Sequence, residues 1–100
     1  MGYYIYTEVV LKLGKLPEYS AMMRQLSPYM ARHGWKLVQA LQPVTGDFRK
    51  LIHVWELAEF ADVERGLAAC AAPEGLSILA PMADIVETES ISVMAKTDYV

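Results

Sequence analysis

Apolar and polar positions change their spacing along the chain, and the changes predict six elements in the order β-α-β-β-α-β. Strand-like stretches, in which β-branched and aromatic residues alternate with polar ones, cover residues 3–11, 35–44, 49–57 and 85–95. Helical stretches, with apolar residues at steps of three and four, cover residues 16–33 and 61–72. The stretch 74–82 has no clear period and is interpreted as a short helical turn.

This order indicates an α+β fold of the ferredoxin-like βαββαβ type, in which a four-stranded antiparallel sheet carries both helices on one face. The length fits one domain, which we assign to residues 1–100. The second face of such a sheet stays open, and apolar residues on it are poorly suited to water. We therefore expect two copies of the chain to press these faces together as a homodimer.

Pro28 interrupts the pattern of the first predicted helix. Proline has no backbone N–H, so the hydrogen bond to the Arg24 carbonyl is lost and the ring crowds the preceding turn. We therefore expect the helix to be kinked or divided near residues 24–27. Gly34 follows as a helix stop signal.

Composition adds an apolar excess and little charge. The hydrophobic fraction is 54% and the mean hydropathy +0.20, above the ~45–50% apolar content of an average soluble domain. An oligomer interface or a lined cavity accounts for such an excess. Nine Lys and Arg stand against twelve Asp and Glu, a net charge of −3, and the basic residues are scattered. This pattern argues against nucleic acid or a membrane surface as the partner.

The sequence carries no signal for secretion or membrane insertion. No apolar run approaches the ~20 residues of a membrane span, and residues 1–12 do not combine a basic region with an apolar block. The single cysteine, Cys70, excludes an internal disulfide. A cytoplasmic location is therefore expected.

Several short pieces of sequence occur in the order found in a known family: Gly14-Lys15-Leu16-Pro17, Pro28 with Arg32-His33-Gly34 and Lys36-Leu37, His53-Val54-Trp55 with Asp62-Val63-Glu64-Arg65, and Glu89-Ser90. Through them nearly the whole chain resembles a NIPSNAP-type domain of the dimeric α+β-barrel superfamily. It departs at Leu57, where family members often have an aromatic residue, and in having no Trp after Trp55. The resemblance implies a homodimer whose two sheets form a barrel.

The third predicted strand carries the residues best suited to chemistry. Alternation places His53 and Trp55 on one face of the strand and Ile52 and Val54 on the other. Because helices favour a uniformly apolar face, we expect Ile52 and Val54 to pack on the helices. His53 and Trp55 would then line the barrel interior.

His53 is the candidate catalytic residue, since imidazole transfers protons near neutral pH. Pairing of the first and third strands would bring further side chains near it, and the candidate ligand-binding residues are Trp55, Tyr4, Tyr6 and Glu8. The alternative is structural, with His53 as a hydrogen-bonded barrel residue and Trp55 as dimer core.

Motifs for cofactors and metals are missing from the sequence. The two histidines have no third ligand nearby, and zinc usually takes three or four protein ligands. No Gly-rich phosphate loop, nucleophile elbow or paired-cysteine motif occurs. We therefore expect neither a metal nor a cofactor.

These observations lead to two functional hypotheses. In the first, a small homodimeric barrel protein binds a small apolar or aromatic molecule in the barrel cavity, with cofactor-independent acid–base or monooxygenase-type chemistry. The resemblance supports this, because related barrels include cofactor-independent monooxygenases, small isomerases and haem-handling proteins. In the second, the chain is a non-catalytic NIPSNAP-like module that acts through protein contacts.

Overall fold

The computed structural model describes residues 2–100. Within them the chain forms, in order, β1 (Tyr3–Leu11), α1 (Leu16–Ala31), β2 (Lys36–Leu41), β3 (Lys50–Leu57), α2 (Ala61–Ala71), α3 (Pro73–Leu79), α4 (Met82–Ile85) and β4 (Val86–Met94). The strands make an antiparallel sheet in the order β2-β3-β1-β4. The predicted ferredoxin-like α+β architecture is confirmed, and the ambiguous stretch 74–82 belongs to the short helices α3 and α4.

Helix α1 runs without a break through Pro28, so the predicted division of the helix is wrong. The proline lies in the last turn, where little of the helix remains to be separated from the rest. A kink at this point stays a prediction. The turn after the helix contains Gly34 at a φ of 93°, a left-handed conformation that glycine adopts without strain.

Trp35 fixes α2 against the segment that leads into β2. Its indole Nε1 donates a 2.6 Å hydrogen bond to the Asp62 carbonyl oxygen, and its ring lies against Gly66. A Cβ at Gly66 would overlap the indole, so only glycine allows this approach. The Arg65 guanidinium donates to the Arg32 carbonyl oxygen at 3.3 Å. The backbone of Asp62 and the side chain of Arg65 therefore hold the start of α2 against the end of α1 and the start of the β2 segment.

The two faces of the sheet have different neighbours. The covered face packs against the helices, and its buried residues are Ile5, Thr7, Val9, Leu11, Leu51, His53, Trp55 and Leu57. On the open face the side chains of β1 and β3 are only half-buried: Tyr4, Tyr6, Glu8, Val10, Ile52, Val54 and Glu56. The predicted alternation of β3 is thus confirmed. The expectation that His53 and Trp55 face away from the helices is wrong, because both lie beneath them.

The reason for this orientation lies at the ends of β3. Leu51 and Leu57 share the face of His53 and Trp55, whereas the charged Glu56 belongs to the opposite face. Burial of apolar area stabilises a fold by about 25 cal/mol per Å². The helices therefore cover the face with the larger apolar area, even though it includes a histidine.

Candidate functional site

A cavity of about 340 Å³, called the inner cavity below, lies between the covered face and the helices. Most of its wall is apolar and comes from the helices: Met22, Met23, Leu26, Met30, Leu67, Leu79 and Met82. Its polar and titratable groups are Thr7, Tyr19, His53, Cys70 and Glu89. An apolar cavity with a few convergent polar groups is the usual form of a small-molecule site.

His53 brings an unmet hydrogen-bonding group to this cavity. The residue is 5% exposed, and its Nδ1 atom is buried without a hydrogen-bond partner among residues 2–100. Buried polar atoms nearly always have a partner, so this nitrogen is suited to a polar group of a ligand. Burial lowers the pKa of His53 and keeps the imidazole neutral at neutral pH. A neutral ring has one accepting and one donating nitrogen.

Tyr19 of α1 places a phenol beside this imidazole. The centroids of the Tyr19 and His53 rings are 5.7 Å apart, and the rings are tilted by 54°. Burial, followed by the charge of Glu89, raises the pKa of Tyr19. The phenol therefore keeps its proton and acts as a donor rather than as an anion.

The remaining titratable groups of the inner cavity are shifted toward their neutral forms. Partial burial raises the pKa of Glu89, which lies on β4 opposite Val9, lines the inner cavity and has an exposed side chain. Burial, followed by the charge of Glu89, raises the pKa of the Cys70 thiol. A thiol of raised pKa is a poor nucleophile. His53 is therefore the better candidate for proton transfer in this cavity.

The lowered pKa of His53 predicts a pH-dependent contribution to stability. The unfolded imidazole takes up a proton near pH 6.5, while the buried one resists protonation. The stability that the neutral His53 gives the folded state is therefore present above about pH 6.5. It is lost as the pH falls toward the lower pKa that His53 has in the folded protein. We expect the difference in unfolding free energy between the wild type and His53→Gln to shrink between about pH 7 and 5. Denaturant unfolding at several pH values measures it.

His33→Gln is the matched control for this experiment, because His33 lies outside the inner cavity. Burial raises the pKa of Glu89, so the contribution of Glu89 to stability grows as the pH falls, opposite to that of His53. Because Glu89 is present in both the wild type and His53→Gln, its effect cancels in their difference. A difference between the wild type and His53→Gln that does not change with pH would show that the imidazole is not desolvated as described.

Two tryptophans stiffen the wall of the inner cavity next to the sheet. Trp35 and Trp55 are each 4% exposed, and their rings meet at a centroid distance of 5.9 Å and an angle of 59°. Tilted aromatic pairs of this kind contribute about 0.5–1.5 kcal/mol beyond the burial of their area. Both rings belong to the core cluster and line the cavity, so cavity shape and fold stability depend on the same residues.

The structure brings together only part of the predicted site. His53 and Trp55 share the inner cavity, but Tyr4, Tyr6 and Glu8 lie on the open face, on the other side of the sheet. The predicted pairing of the first and third strands is confirmed, yet the residues of β1 opposite His53 and Trp55 are Thr7 and Ile5. Glu8 instead forms a 2.7 Å ion pair with Lys50.

Three residues that line the inner cavity, Tyr19, Trp35 and Glu89, are not among the candidates that the sequence predicts. Tyr19 and Trp35 had been assigned to the helix stripe and to a strand, and Glu89 to the final strand. Period-two alternation could have placed Glu89 on the same face as Ile91, but not opposite the covered part of β1. That placement depends on the register between β1 and β4, which a single sequence does not encode locally.

Residues 2–100 contain no group of three or more His, Cys, Asp or Glu side chains that could hold a metal ion. In the same part of the chain, no single helix is long and apolar enough to cross a membrane. The bent pair Ala61–Ala71 and Pro73–Ile85 meets the criteria of length and composition only when both helices are taken together.

Comparison with known proteins places this architecture in a family. The sequence profile of NIPSNAP matches residues 6–100. The chain belongs to the NIPSNAP family. The resemblance noted in the sequence is thereby confirmed, whereas no curated protein gives a significant match.

Solved structures share the fold over nearly the whole chain. A NIPSNAP family protein of Agrobacterium tumefaciens, Atu4242, has a TM-score of 0.83 at 23% identity, covering 99% of this chain and 91% of its own. A NIPSNAP domain protein of Burkholderia xenovorans has a TM-score of 0.81 at 10% identity, with 98% and 97% covered. SnoaB of Streptomyces nogalater, a cofactor-independent oxygenase, has a TM-score of 0.80 at 13% identity, with 99% and 96% covered. At these identities the likeness shows the fold alone.

Proposed function

We propose that this NIPSNAP protein binds a small apolar or aromatic molecule in the inner cavity, with His53 as its acid–base group. The observation that carries the proposal is the buried, unpartnered Nδ1 atom of His53 in a largely apolar cavity of about 340 Å³. Small-molecule sites commonly have volumes of about 300–1,000 Å³. A ligand that donates a hydrogen bond to His53 would satisfy the one buried polar side-chain atom that residues 2–100 leave without a partner.

The proposed chemistry begins with a proton transfer from the ligand to His53. A neutral imidazole accepts the proton from an acidic O–H or C–H group, which leaves an anion on the ligand and an imidazolium on the protein. The neutral phenol of Tyr19 donates a hydrogen bond to the anion so formed. In the monooxygenase-type chemistry expected from the resemblance, dioxygen would be the oxidant: a carbanion formed in this step would add to one oxygen atom, and loss of water from the resulting hydroperoxide would remove the other oxygen atom and leave a carbonyl on the ligand. The likeness to SnoaB makes such chemistry compatible with the fold.

The proposed active form is a homodimer that covers the open face. The centre of this face combines the rings of Tyr4 and Tyr6 with the branched side chains of Ile52 and Val54, all half-buried within one subunit. A second copy related by a two-fold axis would remove them from water. The resulting interface should bury more than about 1,000 Å² in total, which exceeds most crystal contacts.

Filling the mouth of the inner cavity tests the binding proposal. Leu67 lines the cavity and is 49% exposed, so a larger ring at this position has room to turn and occupy the entrance. We expect Leu67→Trp to weaken binding of the fluorescent probe N-phenyl-1-naphthylamine by at least about tenfold, which equals a loss of ~1.4 kcal/mol. Titration of probe fluorescence measures the effect.

Leu76→Trp is the matched control, because Leu76 is 59% exposed and lies outside the inner cavity. This control should bind the probe like the wild type. Equal binding by Leu67→Trp and the wild type would place the probe elsewhere and contradict the proposal. A wild type that binds no such probe would favour the non-catalytic interaction module.

A further inference from the structure

A second cavity shares part of its wall with the inner cavity, including His53. This outer groove, of about 520 Å³, runs between α1 and β2. It shares Tyr19, Met23 and His53 with the inner cavity, so the two spaces meet at the same side chains. His53 is therefore within reach of a ligand that occupies either space.

The outer groove differs from the inner cavity in polarity. Its side chains from α1 and the end of β2 include polar and charged groups: Ser20, Arg24, Ser27 and Gln42. The charged side chain that lines the inner cavity is instead Glu89. The two spaces therefore differ in the sign of their charged lining residue, Arg24 in the outer groove and Glu89 in the inner cavity.

Arg24 is available for a partner from outside the chain. The three other arginines are engaged within residues 2–100: Arg32 with Glu74 at 3.0 Å, Arg49 with Glu87 at 3.2 Å and Arg65 with Asp62 at 3.4 Å. In the same part of the chain Arg24 forms neither an ion pair nor a side-chain hydrogen bond. A guanidinium presents a fixed fork of donors that matches a carboxylate.

We propose that the inner cavity and the outer groove form one site for a small amphipathic carboxylic acid, whose carboxylate binds Arg24. The apolar body of the acid lies in the inner cavity beside His53. The opposite orientation is unfavourable, because it would bring the carboxylate toward Glu89. This inference rests on the proposed function and makes Arg24 the residue that selects an anionic ligand.

A pair of probes isolates the role of the charge. N-Phenyl-1-naphthylamine is neutral, and 8-anilinonaphthalene-1-sulfonate has the same rings with one added anionic group that stands in for the carboxylate. We expect Arg24→Ala to weaken binding of the sulfonate at least about tenfold and to change binding of the neutral probe by less than about twofold. Arg24→Lys should recover part of the loss, since it keeps the charge but not the fork.

Arg32→Ala controls for the loss of a surface arginine at the end of α1, because Arg32 lines neither cavity. It should bind both probes like the wild type. Thermal melting of each variant checks that the fold is intact.

The outcomes separate this inference from the proposed function. If the neutral probe binds in the inner cavity and Arg24→Ala leaves the sulfonate unaffected, the inference is overturned and the proposed function stands. The inference is likewise overturned, and the proposed function stands, if the neutral probe binds the wild type but the sulfonate does not. It is also overturned if Arg24→Ala weakens the binding of both probes equally. If neither probe binds the wild type, or if Leu67→Trp blocks neither, the proposed function fails and the inference fails with it.

Discussion

Val54→Glu is expected to convert the proposed homodimer into a monomer of about 11.2 kDa. Val54 lies on the open face, directly opposite Tyr6 on the neighbouring strand. In a two-fold interface each subunit would bury one new carboxylate, close to the existing Glu56 of the same strand face. Burying an unpaired charge costs several kcal/mol, which is enough to separate subunits at micromolar concentration. Light scattering coupled to size exclusion gives the mass directly.

Leu76→Glu is the matched control, because it places a carboxylate on an exposed position of α3. This variant should remain dimeric. A wild type that is already monomeric at micromolar concentration, or a Val54→Glu variant that keeps the dimer mass, would contradict the proposed assembly.

Trp55→Ala is expected to reduce the unfolding free energy by about 3–5 kcal/mol, the usual cost of removing a large aromatic side chain from a core. The residue is 4% exposed, packs against Trp35 and belongs to the main core cluster. Removal of the Trp55 ring also enlarges the inner cavity, which this ring lines. Denaturant unfolding at a fixed protein concentration measures the loss.

Phe48→Ala removes an aromatic side chain of similar kind from the surface, where it is 68% exposed. We expect this substitution to reduce the unfolding free energy by no more than about 0.5 kcal/mol. Equal effects of the two substitutions would mean that Trp55 does not lie beneath the helices. The covered face would then have to be reassigned.

The order of the elements could be predicted from local patterns. The alternation of β3 and the three-and-four spacing of α1 are properties of neighbouring residues, and both are confirmed. The buried residues Tyr19, Leu26 and Met30 of α1 lie at steps of seven and four, in keeping with the spacing that predicts the helix. The order of these elements then leaves few ways to arrange the sheet.

The choice of the covered face could not be made from two residues on each side. Ile52 and Val54 look more apolar than His53 and Trp55, but the whole strand and its partner decide which face the helices bury. Because side chains alternate, the wrong choice of face for β3 placed His53 and Trp55 on the side of the sheet that carries the candidate residues of β1. This is why Tyr4, Tyr6 and Glu8 were grouped with His53.

The inner cavity itself depends on contacts between distant parts of the chain. Tyr19, His53 and Glu89 come from α1, β3 and β4, and their meeting requires both the sheet register and the position of the short helices. The short helices α3 and α4 lie in the stretch with the weakest sequence pattern. A single sequence therefore pointed to His53 and Trp55, but not to Tyr19 or Glu89.

A crystal structure of the protein with N-phenyl-1-naphthylamine tests the central claim most directly. The account predicts the probe between the covered face and the helices, in contact with Trp55 and Leu67. Its amine N–H would lie within about 3.2 Å of Nδ1 of His53, as a hydrogen bond requires. Probe density found only on the open face, or an inner cavity that stays without probe at saturating concentration, would contradict it.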